Sequence, residues 1–281
     1  MAIYKCAPQS VVESSAAKDA RLLSVSRQNL DEQAFFLFSG TPETSSILVN
    51  TELAGLSVYD WYSRQDEKTL GKKSRPYLYV PFEIEKISAP QDGSVIINNE
   101  ENEAIVYTME APAEQVIYFN KTEALSLPGD HAGFEPASLQ NDFLAWPTEP
   151  GSVFAFNPGL TLVLTAPAFV LMFSSLLKGD GTQPKIADEG KTFYVKDGQA
   201  KNSLIGYTSV FKIDKCELDG SIVLSTTDES YQILLLIGGE AVISQKDEVI
   251  HAQAGTAVLI PANEENVVVT GNAQFVSLQL L

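Results

Sequence analysis

Gly151-Ser152-Val153-Phe154-Ala155-Phe156-Asn157-Pro158-Gly159 and Gly255-Thr256-Ala257-Val258-Leu259-Ile260-Pro261-Ala262-Asn263 share one pattern. Each opens on a glycine, runs through five residues rich in β-forming side chains, and closes on a proline turn. A short apolar run held between a glycine and a proline reads as a buried strand that ends in a turn. Two copies of it, each embedded in a strand-rich block, indicate two β-units of one kind.

The surroundings of both segments carry the same rhythm. Upstream of the first, Val80 to Ile87, Ser94 to Asn98, Ala104 to Thr108 and Gln115 to Phe119 read as short strands separated by Gly, Pro, Asn and Asp. Leu160 to Thr165 follows it, and the apolar stretch from Leu160 to Leu177 contains Pro167 and reads as core rather than a membrane span. Around the second, strands are expected at Thr208 to Lys212, Ser221 to Ser225, Tyr231 to Ile237, Glu240 to Ser244, Glu248 to Ala252, Asn266 to Thr270 and Phe275 to Leu280. Many short strands at such spacing indicate a sandwich or barrel. One helix is expected after Ser57 as N-cap, with Asp60 in its first turn and Gly71 past its end. A second is expected from Ser138 to Trp146, stopped by Pro147. The chain then divides into an N-terminal segment (1–30), a first barrel with a helical insertion (31–177), a connector carrying one strand at Thr192 to Val195 (178–200) and a second barrel (201–281).

Composition narrows the function. The net charge of −17 disfavours nucleic acid, whose affinity comes from Lys and Arg on phosphates, and disfavours an anionic membrane surface. Cys6 and Cys216 are no disulfide framework and fit a reducing compartment. The N-terminus shows no signal-peptide pattern, so a cytoplasmic protein is expected.

The glycine-to-turn segments resemble the second half of a cupin barrel motif, and three further stretches resemble class I phosphomannose isomerases. These are Pro81-Phe82-Glu83-Ile84-Glu85-Lys86-Ile87-Ser88-Ala89, Ser94-Val95-Ile96-Ile97-Asn98-Asn99, and Glu103-Ala104-Ile105-Val106-Tyr107-Thr108-Met109-Glu110-Ala111, the last with Val116-Ile117-Tyr118 downstream. Ser45 to Asn50 and Gly55 to Asp60 match the family's strand and helix lead-in, and Leu259-Ile260-Pro261-Ala262 with Thr270-Gly271 matches its end. The resemblance covers roughly residues 33–281. It implies an all-β protein of two cupin (jelly-roll) barrels with a small helical element, and a sugar or sugar phosphate as ligand class.

In that family a Gln, a His, a Glu and a second His hold one zinc in the first barrel. Carried over by position they fall on Ile96, Asn98, Glu103 and Leu162, and only Glu103 keeps its type. The family's strand lysine falls on Glu85, and its arginine falls near Leu176. In the second barrel the position matching Leu162 is Asn266. A zinc catalytic site needs three protein ligands and an open position. The resemblance therefore implies a mannose-6-phosphate isomerase-like protein without the zinc site and without the isomerase reaction, left with a carbohydrate-binding or regulatory role. No cofactor is expected; an active isomerase with relocated groups would require zinc. A structural or interaction module is the third reading.

Candidate pocket residues are Glu103, Asn98, Ile96, Leu162, Lys86 and Tyr107. Glu103 reads as a remnant ligand, a sugar-hydroxyl acceptor or a solvated strand-end acid. Asn98 reads as a sugar contact or part of a turn before Glu100-Glu101. His131 and His251, the only histidines, read as surface groups. Lys191, Lys196, Lys201 and Lys212 read as a loose, solvated basic cluster, and Asn120-Lys121-Thr122 as a chance glycosylation triplet.

Overall fold

The computed structural model describes residues 2–7, 9–10, 34–89, 94–99, 102–110, 116–120, 143–147, 149–156, 158, 160–165, 169–178 and 184–281. The strands β1 (Tyr4–Ala7), β2 (Gln9–Ser10), β3 (Ala34–Phe38) and β4 (Ile47–Leu48) precede the helical segment. That segment is α1 (Val58–Ser63), α2 (Glu67–Leu70) and a 3-10 turn (Lys72–Ser74). Next come β5 (Phe82–Ser88), β6 (Ser94–Asn98), β7 (Asn102–Glu110), β8 (Val116–Asn120), β9 (Phe143–Pro147), β10 (Val153–Phe156), β11 (Thr161–Thr165) and β12 (Phe169–Lys178). The C-terminal run is β13 (Lys185–Tyr207), β14 (Phe211–Leu224), β15 (Gln232–Gln245), β16 (Glu248–Gln253), β17 (Ala257–Ile260) and β18 (Val267–Leu280). The chain is all-β with a small helical element, as the sequence implies.

These strands form three sheets. The first has the order β13-β14-β18-β15-β17-β1-β4, with β16 beside β15. The second has the order β10-β7-β12-β5-β3-β2, and the third β6-β11-β8-β9. By contact the chain makes two compact units: Met1–Gln9, Leu37–Phe82 and Lys185–Leu281, and Ser10–Phe36 with Glu83–Pro184.

Several elements differ from the sequence reading. β14, β15 and β18 are each one long strand where two short ones were expected. The glycines between the expected pairs are corners of a continuous ladder: Gly220 pairs with Gly271, and Gly271 with Ala241. A glycine lets a strand bend sharply and stay paired, which is how a sheet curls into a barrel. The polar segment expected as a connector at 178–200 enters β13, which lies at the sheet edge, where one side faces solvent and polar residues are tolerated. The helix expected from Ser138 to Trp146 is a strand where the structure describes it: Phe143 to Pro147 pair with Asn120 to Val116. A short apolar segment has no decisive period, and cross-strand pairing wins. Residues 138–142 lie outside the described residues. The N-terminal segment contributes β1, inserted between β17 and β4.

The helical segment was placed by sequence order with the first barrel. By contact it groups with the C-terminal strands. Its backbone explains the grouping. Lys72 and Lys73 N–H groups donate to the Asp228 and Glu229 carbonyls at 2.9 Å each, and the Tyr231 and Ala262 N–H groups donate to the Leu70 and Thr69 carbonyls at 3.1 and 2.7 Å. Ser57 caps α1 as expected, its hydroxyl accepting from the Asp60 N–H at 2.9 Å. The single expected helix breaks after Ser63 because Asp66 starts a new cap, accepting from the Thr69 N–H and hydroxyl. In the same unit Phe82 packs against Phe38, Phe211 and Tyr231, with ring centroids 5.4 to 6.3 Å apart.

Cys6 and Cys216 are free and buried. Burial pushes the Cys6 thiol up to about 12, so almost no thiolate exists near neutral pH. We expect Cys6 to resist iodoacetamide in the folded protein at mildly alkaline pH and to react readily in denaturant, as read by peptide mass spectrometry. A thiol held protonated in the folded state also contributes stability that is present below its unfolded value and is lost as pH rises toward about 12.

Candidate functional site

Among its described residues, unit Ser10–Phe36 with Glu83–Pro184 contains a hydrophobic cluster. Ile87, Ile97, Ala104, Val106, Phe154, Phe156, Leu162, Leu164, Val170 and Met172 all belong to it, and each is buried. The pattern follows from strand alternation, since every second residue of a strand faces the same side. β7 contributes Ala104 and Val106, β10 contributes Phe154 and Phe156, and β11 contributes Leu162 and Leu164. Register locks the pairs, with Phe154 opposite Val106 and Phe156 opposite Ala104. Leu162 lies opposite Ile97.

This register separates the candidate residues. Positions 96 and 98 pair with Val163 and Thr161, one residue out of phase with the Leu162–Ile97 pair. A one-residue offset along a strand is a change of face. Glu103 is 1 % exposed but sits on β7 in the alternate set, with Ile105 and Tyr107, which pair with Phe173 and Leu171. Ala104 and Val106, its neighbours of the other parity, are the ones that share the interior with Leu162. So Glu103 is deeply buried, not a solvated strand-end acid, and it does not share a face with Leu162.

The remaining candidates stand apart. Tyr107 is buried beside the β7–β10 connection, where Gly151 donates its N–H to the Thr108 carbonyl at 2.8 Å. Lys86 lies with its Nζ 4.5 Å from the Phe169 ring centroid. Asn99, next to the candidate Asn98, takes the turn role foreseen for that pair. Its Nδ2 donates to the Asn102 and Phe156 carbonyls at 2.6 and 2.8 Å, and its Oδ1 accepts from the Asn102 N–H at 3.1 Å. His251 is exposed at the β15–β16 hairpin, and His131 lies outside the described residues.

The sequence reading singled out no interior acid on β5. Glu83 and Glu85 are buried there and alternate in phase with Ile87, a member of the hydrophobic interior. The signal was present in Phe82-Glu83-Ile84-Glu85, a strand with both parities occupied by groups that end up buried.

A zinc ion requires about three imidazole, thiolate or carboxylate donors converging on one point. Among the described residues no group of three or more His, Cys, Asp or Glu is placed to hold a metal ion. Leu162 clusters with hydrocarbon side chains, and the buried Glu83, Glu85 and Glu103 complete no group of ligands, so the described donor set does not fit zinc.

Residues 203–279 match the family model described as mannose-6-phosphate isomerase, cupin domain. No curated protein matches the chain by sequence. Among solved structures, the mannose 6-phosphate isomerase from Bacillus subtilis is similar with a TM-score of 0.69 at 13 % identity, covering 99 % of both chains. A putative mannosephosphate isomerase from Archaeoglobus fulgidus is similar with a TM-score of 0.65 at 14 % identity, over 99 % of this chain and 97 % of that one. A zinc-bound mannose 6-phosphate isomerase is similar with a TM-score of 0.67 at 10 % identity over the whole of both. Residues 203–279 thus match the cupin domain of mannose-6-phosphate isomerases, and the chain as a whole shares its fold with the solved phosphomannose isomerases.

Proposed function

We propose that this protein is a phosphomannose isomerase-like cupin that has lost the zinc site and the isomerase reaction and serves as a carbohydrate-binding or regulatory protein of the cytosol. One observation carries the reading: Leu162, at the position of a family histidine, clusters with Ile97, Phe154, Phe156 and Leu164, and among the described residues no group of three or more His, Cys, Asp or Glu is placed to hold a metal ion. Moving a proton between adjacent sugar carbons needs a positioned base and an electrophile that polarises the carbonyl. Ile97, Phe154, Phe156 and Leu162 offer neither, and the buried Glu83, Glu85 and Glu103 supply no electrophile. Loss of the donors, rather than of the fold, is what separates this chain from a zinc isomerase. The acidic net charge supports a partner that is neither nucleic acid nor an anionic membrane, and among the described residues no helix is long and apolar enough to cross a membrane.

The test uses the purified chain. We expect zinc well below one equivalent by elemental analysis, and no conversion of mannose 6-phosphate to fructose 6-phosphate with or without added zinc. Sustained conversion that scales with enzyme and stops on chelation would overturn the reading and restore the active isomerase.

A further inference from the structure

The C-terminal barrel contains a cavity of about 280 Å³ that no family ligand position reaches. Its wall is built by register. Lys212 on β14, Gln279 on β18 and Gln232 on β15 lie side by side across three adjacent strands. Two residues further on, the same face carries Asp214, Ser277 and Leu234. Two residues beyond that it carries Cys216, Phe275 and Leu236. The surface therefore grades from polar at one end to apolar at the other, where Phe275 and Cys216 join the barrel core.

The polar end is built to meet something. Gln232 and Ser277 are each 6 % exposed, yet both line the cavity. Among the described residues, the side chains of Gln232, Ser277 and Gln279 make no hydrogen bond to protein. Buried carboxamides and hydroxyls ordinarily have partners, and here the cavity is where water or a ligand supplies them.

We propose that this cavity binds a neutral polyhydroxylated molecule of monosaccharide size. Charge argues for neutrality: Lys212 Nζ, the one ammonium lining the cavity among the described residues, is held by Asp214 Oδ2 at 3.2 Å. A phosphate dianion would have to compete with that carboxylate. Two carboxamides and a hydroxyl both donate and accept, as sugar hydroxyls do. Phe275, Ile222 and Leu224 supply an apolar floor for the C–H face of a ring. The volume lies just below the range of about 300 to 1,000 Å³ typical of ligand clefts, which fits one sugar ring. The inference shares with the proposed function only the premise of a carbohydrate ligand. The zinc and turnover assays test that function, whereas a binding titration tests this site.

The titration follows backbone amides of the whole chain by NMR, with D-mannose as the probe and mannose 6-phosphate as its charged counterpart. We expect saturable shifts centred on Lys212, Asp214, Gln232, Ser277 and Gln279, with a millimolar dissociation constant and no tighter binding of the phosphate at those amides. Gln279→Leu and Ser277→Val should each weaken mannose by about tenfold or more. The exposed Lys201→Ala should leave it unchanged. Gln279 is only half-buried, so its variant carries the test even where Ser277→Val is too unstable to assay. The proposal is overturned if mannose gives no saturable shift, if the shifts centre within residues 83–184, if Gln279→Leu binds like the parent, or if mannose 6-phosphate binds these amides tenfold tighter.

Discussion

Gly71→Ala is expected to cost about 3 to 5 kcal/mol, lowering the thermal midpoint by roughly 6 to 15 °C. Two effects add at this residue. Its φ of +89° lies where a side chain is strained. A methyl group placed there would also sit 2.5 Å from both the Glu229 carbonyl oxygen and the Ser230 nitrogen. Neither neighbour is a flexible side chain that can swing aside. On both flanks the backbone is tied to the same loop, through the Lys72 and Lys73 N–H groups and the Leu70 carbonyl. The added methyl therefore forces the helical segment off the 228–231 strand lead-in or forces both backbones to distort. Gly55 supplies the control. Its φ is +93°, but nothing lies within 4 Å of a Cβ built on it. Gly55→Ala should pay conformational strain alone, on the order of 1 kcal/mol. Urea denaturation of both variants separates the two contributions. Equal costs would mean that the helical segment does not dock on this loop through Gly71.

Gly71 also shows which parts of the fold are legible in sequence. Its role as a helix stop could be read from the residues before it, because helix ends are local. Its close approach to Glu229 could not, because that depends on a contact between residues far apart in the chain. The same division runs through the strands. Val153 to Phe156 and Ala257 to Ile260 fall within the two five-residue runs of the sequence, because glycine and proline bracket them. β14, β15 and β18 read as broken pairs, because a glycine looks alike in sequence whether a strand ends there or turns a corner. β1 was illegible because four residues with a half-buried alternation need β17 and β4 beside them to become a strand.

At the candidate site, residue type is written in the sequence and strand phase is not. The resemblance of the motifs aligns Leu162 with a metal-binding histidine of the family, and that alignment needs no structure. That Glu103 does not share a face with Leu162 follows only from strand register, where a shift of one residue moves a side chain through the sheet. The cavity of the C-terminal barrel was illegible for a related reason. Lys212, Gln232 and Gln279 are spread over 68 residues of sequence, and only the ladder sets them side by side. In sequence Lys212 is one more solvated lysine.

Leu162→His, which restores the family's residue at this position, is expected to destabilise the protein by about 3 kcal/mol or more and to recruit no zinc. Leu162 is fully buried, and its removal forfeits packing against the interior cluster. Large-to-small losses at such sites run from about 2 to 5 kcal/mol. The imidazole refills part of the volume, but its two ring nitrogens enter a space lined by Ile97, Phe154, Phe156 and Leu164, where a nitrogen without a hydrogen-bond partner costs roughly 1 to 3 kcal/mol. One histidine supplies one ligand, and a stable zinc site needs about three. Adding Ile97→His should deepen the loss rather than rescue it, since two imidazoles still lack the carboxylate: Glu103 belongs to the other face of β7. Urea unfolding with and without zinc, together with metal analysis of the purified variants, decides the matter. A variant that takes up one equivalent of zinc and becomes more stable with it would show that the donors converge after all, and would return Glu103 to the interior. If zinc leaves the unfolding midpoint unchanged, the distance between this chain and a metalloisomerase is a matter of strand phase as well as residue type, and single reversions cannot close it.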